Sequence, residues 1–336
     1  MQNKQYVVQD MKRFFRGGGY NLNNLKSANK KLYNKYEKGE RMKNITETTP
    51  YYDEKLESVY EAVSGESVLF IAPDCWGNEL NESVTKGELY KKGLEMNPCC
   101  GPVTVKNAEP GDTVKITVED INVAPTGHLA IYRPEFGGLS SYLEKDETIT
   151  VPIENGRAKL HGKFSIPIKP MLGVLAVTPC GEKKSTLLSG TYGGNMDCNL
   201  LNKGTVLYLP VQVKGGKIIT GDVHALQGNG EVLASLEIPA TIRLKIELIK
   251  GRQEKWPVLE TKDGWNVITS GLTSDEANEH AMIAMAEFLT KRGELTNKEW
   301  LTLMGLVGEA NICKVVDTYK TARFFMGKEY TENLEF

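Results

Sequence analysis

The strongest constraint on this chain is a hydrophobic alternation of period two. Across residues 112–120, Val114, Ile116 and Val118 alternate with Lys115, Thr117 and Glu119. Across residues 241–248, Ile242, Leu244, Ile246 and Leu248 alternate with Arg243, Lys245 and Glu247. Successive side chains of a strand point to opposite faces, so each stretch is predicted to be a strand with one buried and one wet face. Residues 170–177 and 205–213 are instead nearly continuous apolar runs, the pattern of strands covered on both sides. Short strands punctuated by Gly, Pro and Asn predict a β sandwich or barrel from about Tyr51 onward.

Helices are predicted only near the end. Thr273 and Glu276 have capping-box spacing and open a helix whose apolar stripe includes Ala277, Ala281, Ala284, Met285 and Phe288, ending at Gly293. Thr296 and Glu299 repeat the signal for a second helix through Leu306, and residues 310–316 read as a further strand. The expected organisation is a β body over residues 46–255, carrying the site motifs, and an α+β subdomain over residues 256–330.

Residues 1–45 differ from both. They carry eleven basic against three acidic side chains and no apolar period, so they are expected to form a solvated, disordered basic tail rather than an anion-binding arm. Lys38-Gly39-Glu40-Arg41 before Met42 can be encoded by a purine-rich ribosome-binding sequence, so translation is proposed to start at Met42. The whole chain of 336 residues has a net charge of −2, which offers no field to attract nucleic acid or an anionic membrane. No apolar run approaches the ~20 residues that span a bilayer. Residues 1–9 lack the basic and apolar regions of a secretory signal. The six cysteines show no CxxC spacing and are expected to be reduced thiols in the cytoplasm.

The densest polar cluster is Gly221-Asp222-Val223-His224-Ala225-Leu226-Gln227-Gly228-Asn229-Gly230-Glu231. On a strand, Asp222 and His224 share a face at a backbone separation of ~7 Å, so they can share a divalent cation or form an ordinary polar pair. Asn229-Gly230 signals a type I′ turn, which would put Glu231 ~13 Å along the strand from His224. The alternative is a glycine-rich loop that folds back. A second cluster, Gly193-Gly194-Asn195-Met196-Asp197-Cys198, offers oxygen donors from Asn195 and Asp197. Asp74-Cys75-Trp76 follows the apolar run of residues 68–72, and Asn97-Pro98-Cys99-Cys100-Gly101-Pro102 is a rigid corner. His128 is read as a pocket wall or loop residue, His161 as a turn residue and His280 as a surface residue.

Taken in order and spacing, these clusters resemble the acetamidase/formamidase family. The match is carried by Asp74-Cys75, Asn97-Pro98 with Gly101-Pro102, Ala108-Glu109-Pro110-Gly111-Asp112, Pro170-Met171-Leu172-Gly173, Gly193-Gly194-Asn195-Met196-Asp197, and Gly221-Asp222-x-His224-Ala225 through Gly230-Glu231. It runs from about residue 50 to residue 325. The resemblance implies a jelly-roll-like β sandwich with an added α+β subdomain, hydrolysis of formamide, acetamide or similar short amides, and a divalent metal. Cys100, Asn229 and Leu226 depart from the family's usual Thr, Asp and Ala. Leu226 is expected to narrow the pocket, and Asn229 to remove a carboxylate ligand.

Amide hydrolysis needs an activated water or nucleophile, stabilisation of the oxyanion and a proton for the departing ammonia. Asp197, Asp222 and His224 are the expected metal ligands, for zinc or alternatively calcium, with Asp74 a candidate fourth. Glu231 is the expected proton shuttle, and Asp74 and Asn195 complete the catalytic set. The rival mechanism uses Cys75 or Cys198 as a nucleophile. The non-enzymatic rival is a calcium-binding sandwich that holds a ligand. A homodimer acting on a small amide, with neither nucleic acid nor membrane as partner, is the expected assembly.

Overall fold

A computed structural model of the protein describes residues 42–133 and 137–336. The principal strands are β1 (Glu66–Ala72), β2 (Cys99–Val105), β3 (Thr113–Val123), β4 (Met171–Val177), β5 (Gly193–Asn195), β6 (Val206–Pro210), β7 (Ile218–Leu226), β8 (Leu236–Glu237), β9 (Ala240–Ile249), β10 (Val258–Glu260), β11 (Gly264–Gly271), β12 (Glu309–Lys314) and β13 (Lys320–Gly327). The helices are α1 (Lys86–Lys91), α2 (Ser274–Arg292) and α3 (Asn297–Val307). Two large sheets pack face to face. One runs β1-β9-β3-β6-β10-β11-β13-β12, with Asn44–Ile45 added outside β1. The other is centred on β7, which pairs with β4, β8 and β2.

The alternation in β3 and β9 produces this sandwich directly. Val114, Ile116, Val118, Ile242, Leu244 and Ile246 are fully buried in the core between the sheets. On the outer face Lys115 pairs with Glu247 at 3.4 Å, and Arg243 with Glu119 at 3.1 Å. The continuous apolar run of β4 is buried along its whole length, as expected of a strand covered on both sides. The fold is therefore mainly β, a sandwich with helices confined largely to the C-terminal part.

That C-terminal part does not form a sheet of its own. Strand β10 pairs with β6 through Val206↔Glu260 to Tyr208↔Val258, so β10 to β13 extend the same sheet as β3 and β9. Helices α2 and α3 cover this extension through a second core containing Trp265, Met285, Phe288, Trp300, Phe324 and Met326. Both begin where the capping residues place them, with Thr273 and Thr296 accepting from the backbone N–H groups of Glu276 and Glu299. Gly293 ends α2 for a reason other than a left-handed cap. Its φ is −96°, and a Cβ there would lie 2.2 Å from the Trp300 ring.

At the other end, residues 1–41 of the expected basic tail, and the question of a start at Met42, lie outside the described residues. The tail's last residues belong to the body, because Asn44–Ile45 pairs with β1 and Ile45 is fully buried.

Phe288 is 1 % exposed at the centre of the second core. Phe288→Ala is expected to lower the unfolding free energy by about 3–5 kcal/mol in urea denaturation. A loss below about 1 kcal/mol would show that α2 does not pack on the sheet as described.

Candidate active site

The site begins with an interruption in a β ladder. Strands β4 and β7 pair through Met171↔His224, Leu172↔Val223 and Val174↔Gly221, leaving Gly173 and Asp222 unpaired opposite each other. Asp222 has φ +53°, a left-handed conformation that a non-glycine residue adopts at a cost of about 1–3 kcal/mol. Gly173 makes the space for it, since a Cβ there would lie 2.6 Å from Asp197 Oδ1 and 2.7 Å from both the carbonyl and Oδ2 of Asp222. The Gly173 carbonyl also accepts from the backbone N–H groups of Met196 (3.0 Å) and Asp197 (3.2 Å). One glycine therefore sets two carboxylates side by side.

Around them the chain folds back. Asp222 and His224 point into one cavity, as their strand spacing predicts, with His224 Nε2 3.5 Å from Asp222 Oδ1. The segment after Leu226 does not continue as a hairpin. Of Asn229 and Gly230, only Gly230 has positive φ (+96°), whereas a type I′ turn requires it at both. The Gly230 carbonyl then accepts from Val315 N–H beside β12, and Glu231 (φ +38°) returns to the site. One oxygen or nitrogen each from Asp197, His224 and Glu231 lies within 4.8 Å of the other two.

Gln227 ties these groups together. Its Nε2 donates to the carbonyls of Asp197 (2.7 Å) and Cys313 (3.4 Å), so its Oε1 must accept from His224 Nδ1 at 2.8 Å. That fixes the proton on Nδ1 and turns Nε2 to the cavity. Ser235 Oγ donates to Glu231 Oε1 at 2.7 Å, leaving Oε2 free. Asn97 Nδ2 donates to Asp222 Oδ2 at 2.9 Å.

Several site residues escaped the sequence reading. Glu237, opposite His224 in the β7–β8 ladder, brings Oε1 to 3.2 Å from Nε2. Lys314, fully buried at the end of β12, lies 3.0 Å from Asp197 Oδ2 and 3.0 Å from Asp317 Oδ2. Asp317 in turn accepts from Asn195 Nδ2 at 3.1 Å. An acid inside the run Leu236-Glu237-Ile238, and a lysine inside the strand that ends Cys313-Lys314, were the available signals.

The cavity is about 60 Å³, lined by these polar groups together with Trp76, Met96, Ala130, Leu187 and Leu233. Five carboxylates face it, from Asp197, Asp222, Glu231, Glu237 and Asp317. Burial raises the pKa of Glu231 well above the usual carboxylate range, with Asp197 adding to the shift, and lifts Glu237 to about 7. Burial also raises Asp197, although Lys314 opposes it. Burial disfavours the His224 imidazolium, but Glu237 and Asp222 outweigh it and hold the group well above the usual histidine value. Asp197 Oδ1, His224 Nε2 and Glu231 Oε2 are buried without a hydrogen-bond partner. This surplus of convergent acceptors around one imidazole fits a divalent cation.

Other expected residues fall elsewhere. Asp74 does not line the cavity. Its Oδ1 accepts from the N–H groups of Trp76 (3.0 Å) and Asn78 (2.7 Å), closing the turn after β1. Cys75 does line the cavity, but burial and nearby Glu237 push its thiol well up, away from a thiolate. Cys198 lies in the main core against Cys313, whose hydrogen bond brings it down to about 7. Leu226 packs against the main core rather than the cavity, so it does not narrow the pocket. Asn229 is exposed and bonds Asn311, and Cys100 is buried within β2.

Comparison with known proteins identifies the family. A family model of the acetamidase/formamidase family matches residues 176–322. An acetamidase structure from Bacillus halodurans superposes with a TM-score of 0.83 at 32% identity, covering 87% of this chain and 100% of that one. The chain belongs to the acetamidase/formamidase family. A second member, a predicted acetamidase/formamidase from Thermoanaerobacter tengcongensis, gives a TM-score of 0.83 at 32% identity over 88% of this chain and 99% of that one. A formamidase from Methylophilus methylotrophus is 29% identical over 149 residues, which are 41% of this chain and 36% of that protein. The match therefore spans about a third of the formamidase's length.

In this family member Gly173→Ala is expected to place a methyl group against both Asp197 and Asp222. It should lower stability by about 1–3 kcal/mol in thermal or urea unfolding, the range of an overpacked site. Unchanged stability would show that the two carboxylates do not crowd over Gly173.

Proposed function

We propose that the protein hydrolyses short aliphatic amides, of the formamide and acetamide type, to a carboxylate and ammonia, assisted by a divalent metal ion. The observation that carries this reading is the convergence of Asp197 Oδ1, His224 Nε2 and Glu231 Oε2 on a small cavity, with both carboxylate oxygens buried and without hydrogen-bond partners. Relatives named formamidase and acetamidase support the same substrate class.

Asp197, Asp222 and His224 would hold the metal. An imidazole nitrogen among carboxylates favours zinc over calcium, which takes oxygen ligands, and this also weighs against a purely calcium-binding sandwich. A metal held there supplies a Lewis acid for the amide oxygen and lowers the pKa of water. Gln227 orients His224, and Asn97 orients Asp222, so neither ligand must be ordered when the metal arrives.

Glu231 is suited to move the proton. Ser235 holds one of its oxygens while the other faces the cavity, and burial raises its pKa well above the usual carboxylate range. It takes a proton from the attacking water and delivers one to the departing nitrogen, so ammonia leaves rather than an amide anion. The apolar wall limits the acyl chain. A cavity of about 60 Å³ suits a small amide.

Six free cysteines suit a reducing cytoplasm. Exposed Leu301 and Leu306 on α3 offer apolar surface for a homodimer. Among the described residues no helix is long and apolar enough to cross a membrane.

Ammonia release from formamide, acetamide, propionamide and longer amides, with metal analysis of the same samples, tests this reading. His224→Ala is expected to lose bound metal and activity together. Glu231→Gln is expected to keep the metal and lose about 10²–10⁴-fold in turnover. Full activity of His224→Ala after exhaustive chelation would overturn the metal-assisted reading, and loss of activity on thiol alkylation alone would return Cys75 to consideration.

A further inference from the structure

Asn195 ends β5, and its side chain lies on the cavity wall at 2 % exposure. Its Nδ2 has two partners, Asp317 Oδ2 at 3.1 Å and the Leu187 carbonyl at 3.4 Å. Its Oδ1 is buried and has none. The orientation of this carboxamide is forced. A backbone carbonyl only accepts, and Asp317 Oδ2 also takes the Lys314 ammonium at 3.0 Å, so that oxygen carries no proton. Turning the amide over would set its oxygen against two acceptors and leave two N–H groups without partners. Lys314, through Asp317, thus obliges Asn195 to present an acceptor at a wall otherwise rich in acids.

We propose that Asn195 Oδ1 accepts a hydrogen bond from the –NH₂ group of the substrate, and that Asp317 and Lys314 act as positioning residues that keep it in that orientation. This inference rests on the amidase reading and narrows it to amides that carry an N–H. A primary amide has an N–H to give to Asn195, whereas the ester of the same acid places an oxygen lone pair there. A buried acceptor facing that lone pair is both unsatisfied and repelled, which is how a site built around an N–H rejects the analogue lacking it. The same contact directs the nitrogen lone pair away from Asn195, so Asn195 fixes which way round the amide sits. The left-handed φ of Gly193 (+86°) and Gly194 (+96°) brings the chain into this position. A Cβ on Gly194 would lie 2.4 Å from the Leu188 carbonyl, which accepts from Asn195 N–H at 3.1 Å.

The test compares acetamide with methyl acetate on the metal-loaded full chain, the ester being read as a substrate or, where it is not turned over, as a competitive inhibitor. The quantity read is the preference for acetamide over the ester in kcat/KM or inhibition constant. Asn195→Ala is expected to reduce this preference by about 10–100-fold, because the amide loses its acceptor and the ester loses its repulsion. Asp317→Asn, a change at a partly exposed side chain, is expected to reduce it in the same direction by about 3–10-fold, because Asn195 is then free to turn over. A purely structural role would lower both constants by one factor, so an unchanged preference in folded Asn195→Ala or Asp317→Asn overturns the proposal. If the wild-type protein releases no ammonia from acetamide, the amidase reading fails, and this inference with it. If it does and the preference is unchanged in the variants, only this inference fails.

Discussion

Everything at the site follows from placing several carboxylates in a dry interior around one imidazole. Isolated buried charges are strongly disfavoured, so such a cluster persists only with compensating charge, raised pKa values or a bound cation. The protein uses the first two visibly. Lys314 lies between Asp197 and Asp317, while Glu231 and Glu237 are pushed up by burial. Asp197 Oδ1 and Glu231 Oε2 remain buried without a hydrogen-bond partner. The backbone holds this arrangement at some cost, since Asn97, Asp197, Asp222, Glu231 and Asp317 all have positive φ. Such strain lasts only where the surrounding fold over-determines the conformation, and here two packed sheets do so.

The sandwich was legible because alternation is a local signal. In β3 and β9 each apolar residue reports its own face, and both strands lie where the pattern puts them. The helix starts at Thr273 and Thr296 were equally local, as capping is decided within four residues. The convergence of Asp197, Asp222 and His224 was legible in a different way, through motifs whose order matched a family. The spacing of Asp222 and His224 alone fits an ordinary Asp–His pair better than a metal site.

What stayed hidden depends on contacts between distant segments. Lys314 reaches Asp197 across 117 positions of sequence, and nothing in the run Ile312-Cys313-Lys314 says that its ammonium will be fully buried. Glu237 sits opposite His224 in a ladder set by tertiary pairing, which its own neighbours in sequence do not reveal. Asp74 illustrates the converse. An acid after a buried strand suits catalysis and turn closure equally, and two backbone N–H groups decide for the turn. Asn229-Gly230 left hairpin and folded-back loop both open for the same reason, and the bond from Val315 N–H to the Gly230 carbonyl goes with the loop.

The central claim is that Asp197, Asp222 and His224 can hold a metal ion that assists amide hydrolysis, with Glu231 beside it as the proton carrier. Anomalous X-ray diffraction from crystals of the wild-type protein, recorded on either side of the zinc absorption edge, tests it most directly. The account predicts one strong anomalous peak bonded to His224 Nε2 and to Asp197 Oδ1. A fully active crystal preparation with no peak at that position, or with its metal bound elsewhere, would contradict it.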